Sequence, residues 1–377
     1  MKDRLESTKK VLVFGVKPQW EVSSLPSTNL AIYLSKKKEY EVYYISDDLS
    51  FFHFFKWGIK IGIVIKFINS IFTKMKINNI SYLSSFLFFP RFSNINKLYD
   101  FLFSYFNFKF RSRSLNKLLS EDFELVFSSS HRNYSDFIRI KSKRKIFSIE
   151  DNPYGFGVLN EKFLNKAENK MFNKSDIECW CTSKKLISEK YSEAKYFSNG
   201  INNNFKINLQ FLKNKKCIYV GAIDDWFDWS LVNNVFEKLG NSHGFILDIY
   251  GNSKIDPKKM INSEFINFHG PIDNKLVQSK LLNYSVGIIP FKVNDLVNYV
   301  NPIKYYEYLS CGLRIVSTDW DELREHDYPN LFLSDRNNFA QNILKAHEFN
   351  FNGLESELVN FLNSRKYDFI FEKILKI

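Results

Sequence analysis

Short apolar runs alternate with helical patterns along most of this chain. The run Val11–Gly15 is followed by a helical pattern over 28–37 and by a second strand pattern, Tyr40–Ile45. A strand, a helix and a strand at this spacing form a βαβ unit, and such units build parallel sheets. The same buried-strand pattern recurs at Leu125–Ser128, Lys145–Ile149 and Ile177–Cys181. The first part of the chain therefore predicts a doubly wound, parallel α/β sheet.

A second alternation of the same kind begins after a polar stretch rich in Asn and Lys, residues 202–216. Its apolar runs predict five strands, at 217–221, 245–250, 265–268, 286–290 and 314–318. A chain of 377 residues is long enough to bury two cores. We place the domains at 1–205 and 206–360, with a C-terminal helix at 361–377.

The segment from Asn301 to Gly312 carries the clearest chemical pattern. Asn301 is a natural helix N-cap, Pro302 suits the first helical position, and Gly312 suits the left-handed residue after the helix. Lys304 and Glu307 are three residues apart and share one helix face. A lysine beside a helix N-terminus suits a pyrophosphate, and a carboxylate one turn deeper can accept the two hydroxyls of a ribose. The segment predicts a nucleotide-sugar site.

This segment resembles the donor-binding element of the GT-B glycosyltransferases, in particular a bacterial group within glycosyltransferase family 4 with the pattern NPxKxYEYLAxG. Further blocks in matching order lie at Tyr219–Ile223, Trp226–Asp228, Ile249–Gly251, Asn267–Pro271 and Gly287–Phe291. The likeness covers roughly residues 145–325. It implies a GT-B fold: two doubly wound Rossmann-like domains facing a cleft, with the last helix crossing back to the first domain. Residues 1–205 would bind the acceptor and 206–360 the donor.

The resemblance also implies roles for individual residues. Lys304 would bind the diphosphate and Glu307 the ribose. Other donor-binding residues would be Asn301, Pro302, Ile303, Gly221, Trp226, Phe227 and Tyr299. Many retaining members carry a second glutamate eight residues before the ribose-binding one, where this chain has Tyr299. That departure leaves the donor sugar and the stereochemical outcome open.

Two loops of the first domain follow predicted strands and carry candidates for acid–base chemistry. A carboxylate or an imidazole there could deprotonate an acceptor hydroxyl, so Asp151 and His131 are both candidate catalytic residues. Arg132 could contact phosphate or acceptor. The pair Asp224 and Asp225 is interpreted as loop acids. We expect neither a bound metal nor a cofactor, with the nucleotide sugar acting as substrate.

Charge is concentrated in residues 51–113. The chain has a net charge of +12, and this stretch has ten basic residues and one acidic residue, a net charge of +9, among many Phe residues. A basic, aromatic helical rhythm is typical of a helix at an anionic membrane surface. The same Phe residues could form domain core, or stack on nucleic-acid bases. No RNP-like or zinc-finger motif is present, so we expect no nucleic-acid partner and favour a membrane-facing insert.

The remaining features bear on location. Four cysteines in or beside apolar runs are typical of free buried thiols in a reducing compartment. The polar segment Met1–Lys9 has no signal-peptide core, and no run of 18 apolar residues occurs. We expect a cytoplasmic protein attached peripherally to the inner face of the plasma membrane.

The sequence thus predicts a hexosyltransferase-type enzyme. It would move a sugar from a nucleotide-sugar donor to a lipid-linked polysaccharide, capsule or lipopolysaccharide acceptor. A GT-B nucleotide-sugar epimerase, and a non-catalytic GT-B module that binds membrane or polyanion, remain alternatives. The epimerase would have a soluble substrate, which gives the basic insert no purpose.

Overall fold

The computed structural model describes residues 8–15, 23–50, 75–77, 79–87, 113–155, 161–325, 328 and 330–376. These residues form two compact units. The first comprises Met1–Trp20, Leu25–Thr182 and Ile187–Phe197, and the second comprises Glu21–Ser24, Ser183–Leu186 and Ser198–Ile377. Each unit has its own sheet, as the two alternations in the sequence predict.

The first unit is built on a mostly parallel sheet. Within the described residues its strands are β1 (Lys9–Gly15), β2 (Tyr40–Ser50), β3 (Met75–Ile77), β4 (Ile80–Leu87), β5 (Asp122–Ser128), β6 (Lys141–Ile149), β7 (Ile177–Cys181) and β8 (Lys195–Tyr196). They are arranged in the order β3-β4-β2-β1-β5-β6-β7-β8. The apolar runs of the central strands are buried, as expected for a parallel sheet that is covered on both faces.

Short helices connect these strands. They are α1 (Pro26–Ser35), α2 (Arg113–Leu119), α3 (Tyr134–Arg139), α4 (Glu161–Phe172) and α5 (Lys184–Glu189), together with a single 3-10 turn at His131–Asn133. The parallel pairing of β1 with β2 and β5 confirms the predicted βαβ arrangement.

The edges of this sheet differ from the sequence-based prediction. Beyond β7, the last strand that the sequence pattern predicts for this unit, the short strand β8 pairs with it in parallel. At the other edge β3 runs antiparallel to β4. Strands of two and three residues carry too little apolar pattern to be recognised. The predicted membrane-facing insert, 51–113, lies outside the described residues apart from β3, Asn79, β4 and Arg113.

The second unit has a sheet in which every described strand pair is parallel. Its strands are β9 (Lys216–Val220), β10 (Ile246–Tyr250), β11 (Ile266–Gly270), β12 (Val286–Ile289), β13 (Arg314–Thr318) and β14 (Leu331–Ser334). The order is β11-β10-β9-β12-β13-β14. The carboxyl ends of all these strands therefore meet at one edge, where doubly wound sheets bind ligands.

The helices of the second unit are α6 (Trp229–His243), α7 (Asn274–Leu281), α8 (Ile303–Ser310), α9 (Asp321–Arg324), α10 (Phe339–Glu348), α11 (Glu355–Ser364) and α12 (Tyr367–Leu375). The tail predicted as one helix is thus two, separated where Lys366 bridges to Ile201. The return of the last helix to the first domain stays a prediction. Of the helices described, none has the length and apolar character needed to cross a bilayer.

Candidate functional site

Helix α8 begins one residue later than the sequence suggests. Pro302, with φ −79° and ψ 116°, occupies the N-cap position, and the predicted N-cap role of Asn301 is wrong. The side-chain oxygen of Asn301 instead accepts a hydrogen bond from the Tyr306 hydroxyl at 3.3 Å. Its carbonyl accepts from Asn199 Nδ2 at 2.8 Å. Asn301 therefore anchors the loop before the helix, and Gly312 ends the helix with φ +76°, as predicted.

Side chains on the buried face of α8 fix the helix against the sheet. Tyr305, Tyr306, Tyr308 and Leu309 are fully buried. The Tyr308 hydroxyl accepts a hydrogen bond from the Val220 amide at 2.9 Å, at the carboxyl end of β9. This contact ties the helix to the strand end and sets the position of the residues on its other face, Lys304 and Glu307.

A cavity of about 290 Å³ lies at the carboxyl edge of the second sheet. Its size is close to the lower end of typical ligand pockets, roughly 300–1,000 Å³. Four predicted donor-binding residues line it: Gly221, Ile303, Lys304 and Glu307. The structure thus brings together residues that are more than 80 positions apart in the sequence.

Lys304 lies across the end of β9. Its Nζ is 5.5 Å from the ring centroid of Tyr219 and 5.6 Å from that of Phe291. The adjoining residue Gly221, with φ +148°, leaves space for this side chain. A cation above aromatic faces and beside the first amides of a helix makes a site suited to an anion.

Glu307 lies one turn further along the same helix. Ser24 Oγ donates a hydrogen bond to Glu307 Oε1 at 2.7 Å. Burial raises the pKa of the Glu307 carboxyl, while the bond from Ser24 and the charge of Lys304 act in the opposite direction. A carboxylate in such a place accepts hydrogen bonds and repels further negative charge. It therefore suits hydroxyl groups of a ligand whose phosphates lie near Lys304.

One wall of the cavity is a loop that sequence reasoning missed. Lys206 N donates to Gln278 Oε1 at 3.0 Å, and Gln278 Nε2 donates back to the Lys206 carbonyl. Asn202 Nδ2 donates to the Ser23 carbonyl at 2.7 Å. The partners are 72 and 179 residues apart, so no local sequence signal marks them. Side-chain amides thus hold the wall in place.

The other predicted donor residues are not among those that line the cavity. Phe227 is buried in the core, with its ring 4.8 Å from Tyr219 and 4.7 Å from Trp229. Trp226 is half-buried. The ring centroid of Tyr299 lies 5.5 Å from Lys185 Nζ. Asn301 and Pro302 precede α8 and are buried.

In the first unit, His131 belongs to a hydrogen-bonded network around a buried carboxylate. His131 Nε2 lies 3.0 Å from Glu168 Oε1. Tyr191 and Tyr154 donate to the same carboxylate at 2.8 and 2.9 Å. These hydrogen bonds outweigh the opposing effect of burial, so the pKa of Glu168 is lowered.

The neighbouring Arg132 is half-buried, and its amide donates to Ser130 Oγ at 3.3 Å.

Glu150 and Asp151 follow β6 at the carboxyl edge of the first sheet. Asp151 is half-buried in a turn. Among the described residues, Glu150 Oε1 is buried with no hydrogen-bond partner. Burial and the adjacent Asp151 raise the pKa of Glu150 to about 8. Sequence reasoning did not single out Glu150, although its place after a buried strand could have marked it.

A wider cavity, of about 1080 Å³, lies at the amino edge of the first sheet. Its lining mixes lysines such as Lys10 and Lys38 with acids such as Glu39 and Glu121. Ligands of doubly wound sheets bind at the opposite, carboxyl edge. The smaller cavity around Lys304 is therefore the better candidate. Within the part of the chain that is described, no cluster of three His, Cys, Asp or Glu is placed to hold a metal.

No protein-family model matches the chain, and no curated protein sequence matches it. Solved structures do match. HepE from Anabaena, crystallised with UDP and glucose, is 10% identical with a TM-score of 0.63, covering 98% of both chains. TarM is 12% identical with a TM-score of 0.63, covering 98% of this chain and 99% of TarM. Sucrose-phosphate synthase from Thermosynechococcus elongatus is 10% identical with a TM-score of 0.63, covering 98% of both.

Identities this low bear on the fold alone. The two sheets, their parallel strands and the near-complete coverage show that the chain has the GT-B fold, as the sequence predicts. The activity has to be argued from the site.

Proposed function

We propose that this protein is a glycosyltransferase that uses a nucleotide-sugar donor. The observation that carries the proposal is the cavity in which Lys304 and Glu307 lie on one face of α8, with Gly221 opposite. A cation and a carboxylate one helical turn apart match the diphosphate and the ribose of a nucleoside diphosphate. The GT-B fold supports the reaction class.

The transfer would proceed as follows. The bond between the anomeric carbon and the β-phosphate oxygen breaks, and the electron pair leaves with the nucleoside diphosphate. The anomeric carbon bonds to an acceptor oxygen, whose proton passes to a base. Lys304 and the first amides of α8 would stabilise the negative charge that develops on the leaving diphosphate.

A uridine nucleotide is the donor we propose. HepE was solved with UDP and glucose, and the TarM variant of S. aureus was solved with UDP. The cavity around α8 offers a lysine and a carboxylate for the diphosphate and the ribose of such a donor. The sugar transferred would be a hexose.

For the base we propose Asp151. It follows β6 at the carboxyl edge of the first sheet, and it is half-buried. His131, the other candidate, directs Nε2 at Glu168 and lies with its ring 4.9 Å from that of Phe147. Those contacts favour a packing role for His131. Asp151→Asn should lower kcat with little change in UDP affinity.

For the acceptor we propose a lipid-linked glycan at an anionic membrane surface, with peripheral attachment through residues 51–113. Ten basic residues and one acidic residue in that stretch support this. Replacing Lys56, Lys60 and Lys66 by Gln should reduce co-sedimentation with vesicles containing anionic lipid, and leave UDP binding intact. Equal sedimentation of both proteins would contradict attachment through this stretch.

The donor proposal can be tested by calorimetry and thermal shift with UDP. UDP at 100 times its Kd should stabilise the protein by about 2.7 kcal/mol. Lys304→Ala and Glu307→Gln should each weaken UDP binding at least tenfold, while Lys238→Ala, on the exposed face of α6, should not. The proposal would be refuted if none of the nucleotides UDP, GDP, CMP and dTDP stabilised the protein.

A further inference from the structure

A two-residue segment far from α8 in sequence belongs to the second unit. Ser23 and Ser24 lie more than 280 residues before Glu307, yet their carbonyl groups are hydrogen-bonded to residues of the second unit. The Ser23 carbonyl accepts from Asn202 Nδ2 at 2.7 Å, and the Ser24 carbonyl accepts from the Tyr367 hydroxyl at 2.8 Å. The backbone that carries the Ser24 side chain is thus fixed from two sides.

From this fixed backbone, Ser24 reaches the carboxylate that we assign to the ribose. Ser24 Oγ donates to Glu307 Oε1 at 2.7 Å, and both residues line the donor cavity. A carboxylate has two acceptor oxygens. With Ser24 on Oε1, the other oxygen remains to accept ligand hydroxyls, and the side chain is held in one orientation.

Holding a glutamate in place has an energetic consequence. A Glu side chain has several rotatable bonds, and ordering it only when the ligand binds weakens binding. A hydrogen bond to an ionised group also favours the charged form, the better acceptor. In agreement, Ser24 opposes the rise that burial causes in the pKa of Glu307.

We infer that Ser24 is a positioning residue that orients Glu307 toward the ribose hydroxyls, and thereby sets the preference of the cavity for ribonucleotides. Tyr367 and Asn202 act through it by fixing its backbone. The inference rests on the proposed function, because it takes Glu307 as the ribose ligand.

The test compares UDP with 2′,3′-dideoxy-UDP, which lacks both ribose hydroxyls. Wild-type protein should bind UDP at least tenfold more tightly than the dideoxy analogue. Ser24→Ala should weaken UDP binding about five- to tenfold and leave binding of the analogue nearly unchanged. The ratio of the Kd for the analogue to the Kd for UDP should therefore fall close to one. Ser24→Thr, which keeps the hydroxyl, should restore most of the ratio. Tyr367→Phe should reduce it by a smaller amount.

Ser279→Ala is the matched control, because it removes a hydroxyl from α7 that bonds only within that helix, to the Leu276 carbonyl at 2.9 Å. It should leave the ratio unchanged. Equal losses of UDP and dideoxy-UDP affinity in Ser24→Ala would mean that Ser24 supports the fold alone, which overturns the inference. Failure of the wild-type protein to bind UDP would overturn the proposed uridine donor itself, and the inference with it.

Discussion

Gly221 leaves no room for a side chain beneath Lys304. A Cβ atom built on Gly221 would lie 2.1 Å from Lys304 Cε and 2.6 Å from Nζ. The backbone at Gly221 also has φ +148°, a conformation that other residues rarely adopt. The observed position of the Lys304 side chain therefore requires a glycine at the end of β9, because any larger residue at 221 would occupy the same space.

Gly221→Ala should displace Lys304 and weaken UDP binding at least tenfold, as measured by calorimetry. Gly244 provides a matched control. It has φ +72° but nothing within 4 Å of its Cβ position. Gly244→Ala should lower the free energy of unfolding by about 1–2 kcal/mol through backbone strain, without changing the affinity for UDP. Equal UDP affinity for Gly221→Ala and the wild type would contradict the place given to Lys304.

Much of the fold could be predicted from the sequence because it depends on local patterns. The strand Ile177–Cys181 and the strand 314–318 were predicted with their observed bounds. Gly312 marked the end of α8 because a left-handed residue there favours glycine. Such signals need only a few neighbouring residues.

The long-range parts of the site could not be predicted in this way. The bond from Ser24 to Glu307 joins residues 283 positions apart, and a serine before a helix resembles an ordinary cap or turn residue. The predicted N-cap role of Asn301 is wrong because an Asn side chain can satisfy either a helix N-terminus or a tertiary partner, here Tyr306. Only packing decides between the two.

Glu150 should make stability fall as the pH rises. Its pKa is raised to about 8, so the native state binds this proton more tightly than the unfolded chain does. Stability therefore decreases from about pH 4.5 to about pH 8. Glu150→Gln should remove this dependence and stabilise the protein at pH 8 by about 1–3 kcal/mol.

Melting curves of the wild type and of Glu150→Gln across that pH range would measure the effect. Asp151→Asn serves as a second variant, because Asp151 contributes to the rise in the pKa of Glu150. Its curve should fall between the other two. Parallel curves for all three proteins would show that the Glu150 carboxyl is solvated.

The carboxylate of Glu168 should have the opposite pH dependence. Its pKa is lowered in the native state, so the stabilisation is present above the unfolded value, about 4.5, and is lost on acidification. Glu168→Gln should lower the melting temperature at pH 7 and flatten the acid side of the stability profile.

His131→Ala should destabilise the same network by about 1–3 kcal/mol, because it removes one donor from a buried carboxylate. UDP affinity should not change, since the donor cavity is lined by residues of the second unit. A His131→Ala protein that melts like the wild type but has lost transfer activity would instead restore His131 as the catalytic candidate.

Asp228 should matter for stability and not for ligand binding. Its Oδ1 accepts a hydrogen bond from the Leu231 amide at 3.0 Å and caps α6, while Oδ2 pairs with Arg336. Loss of an N-cap costs about 1 kcal/mol, whereas a pair with a half-exposed arginine contributes less. Asp228→Ala should therefore lower stability by about 1–2 kcal/mol in urea denaturation. Asp228→Asn keeps the cap and should lose only the smaller, salt-sensitive part, so equal losses in both variants would assign the effect to the ion pair.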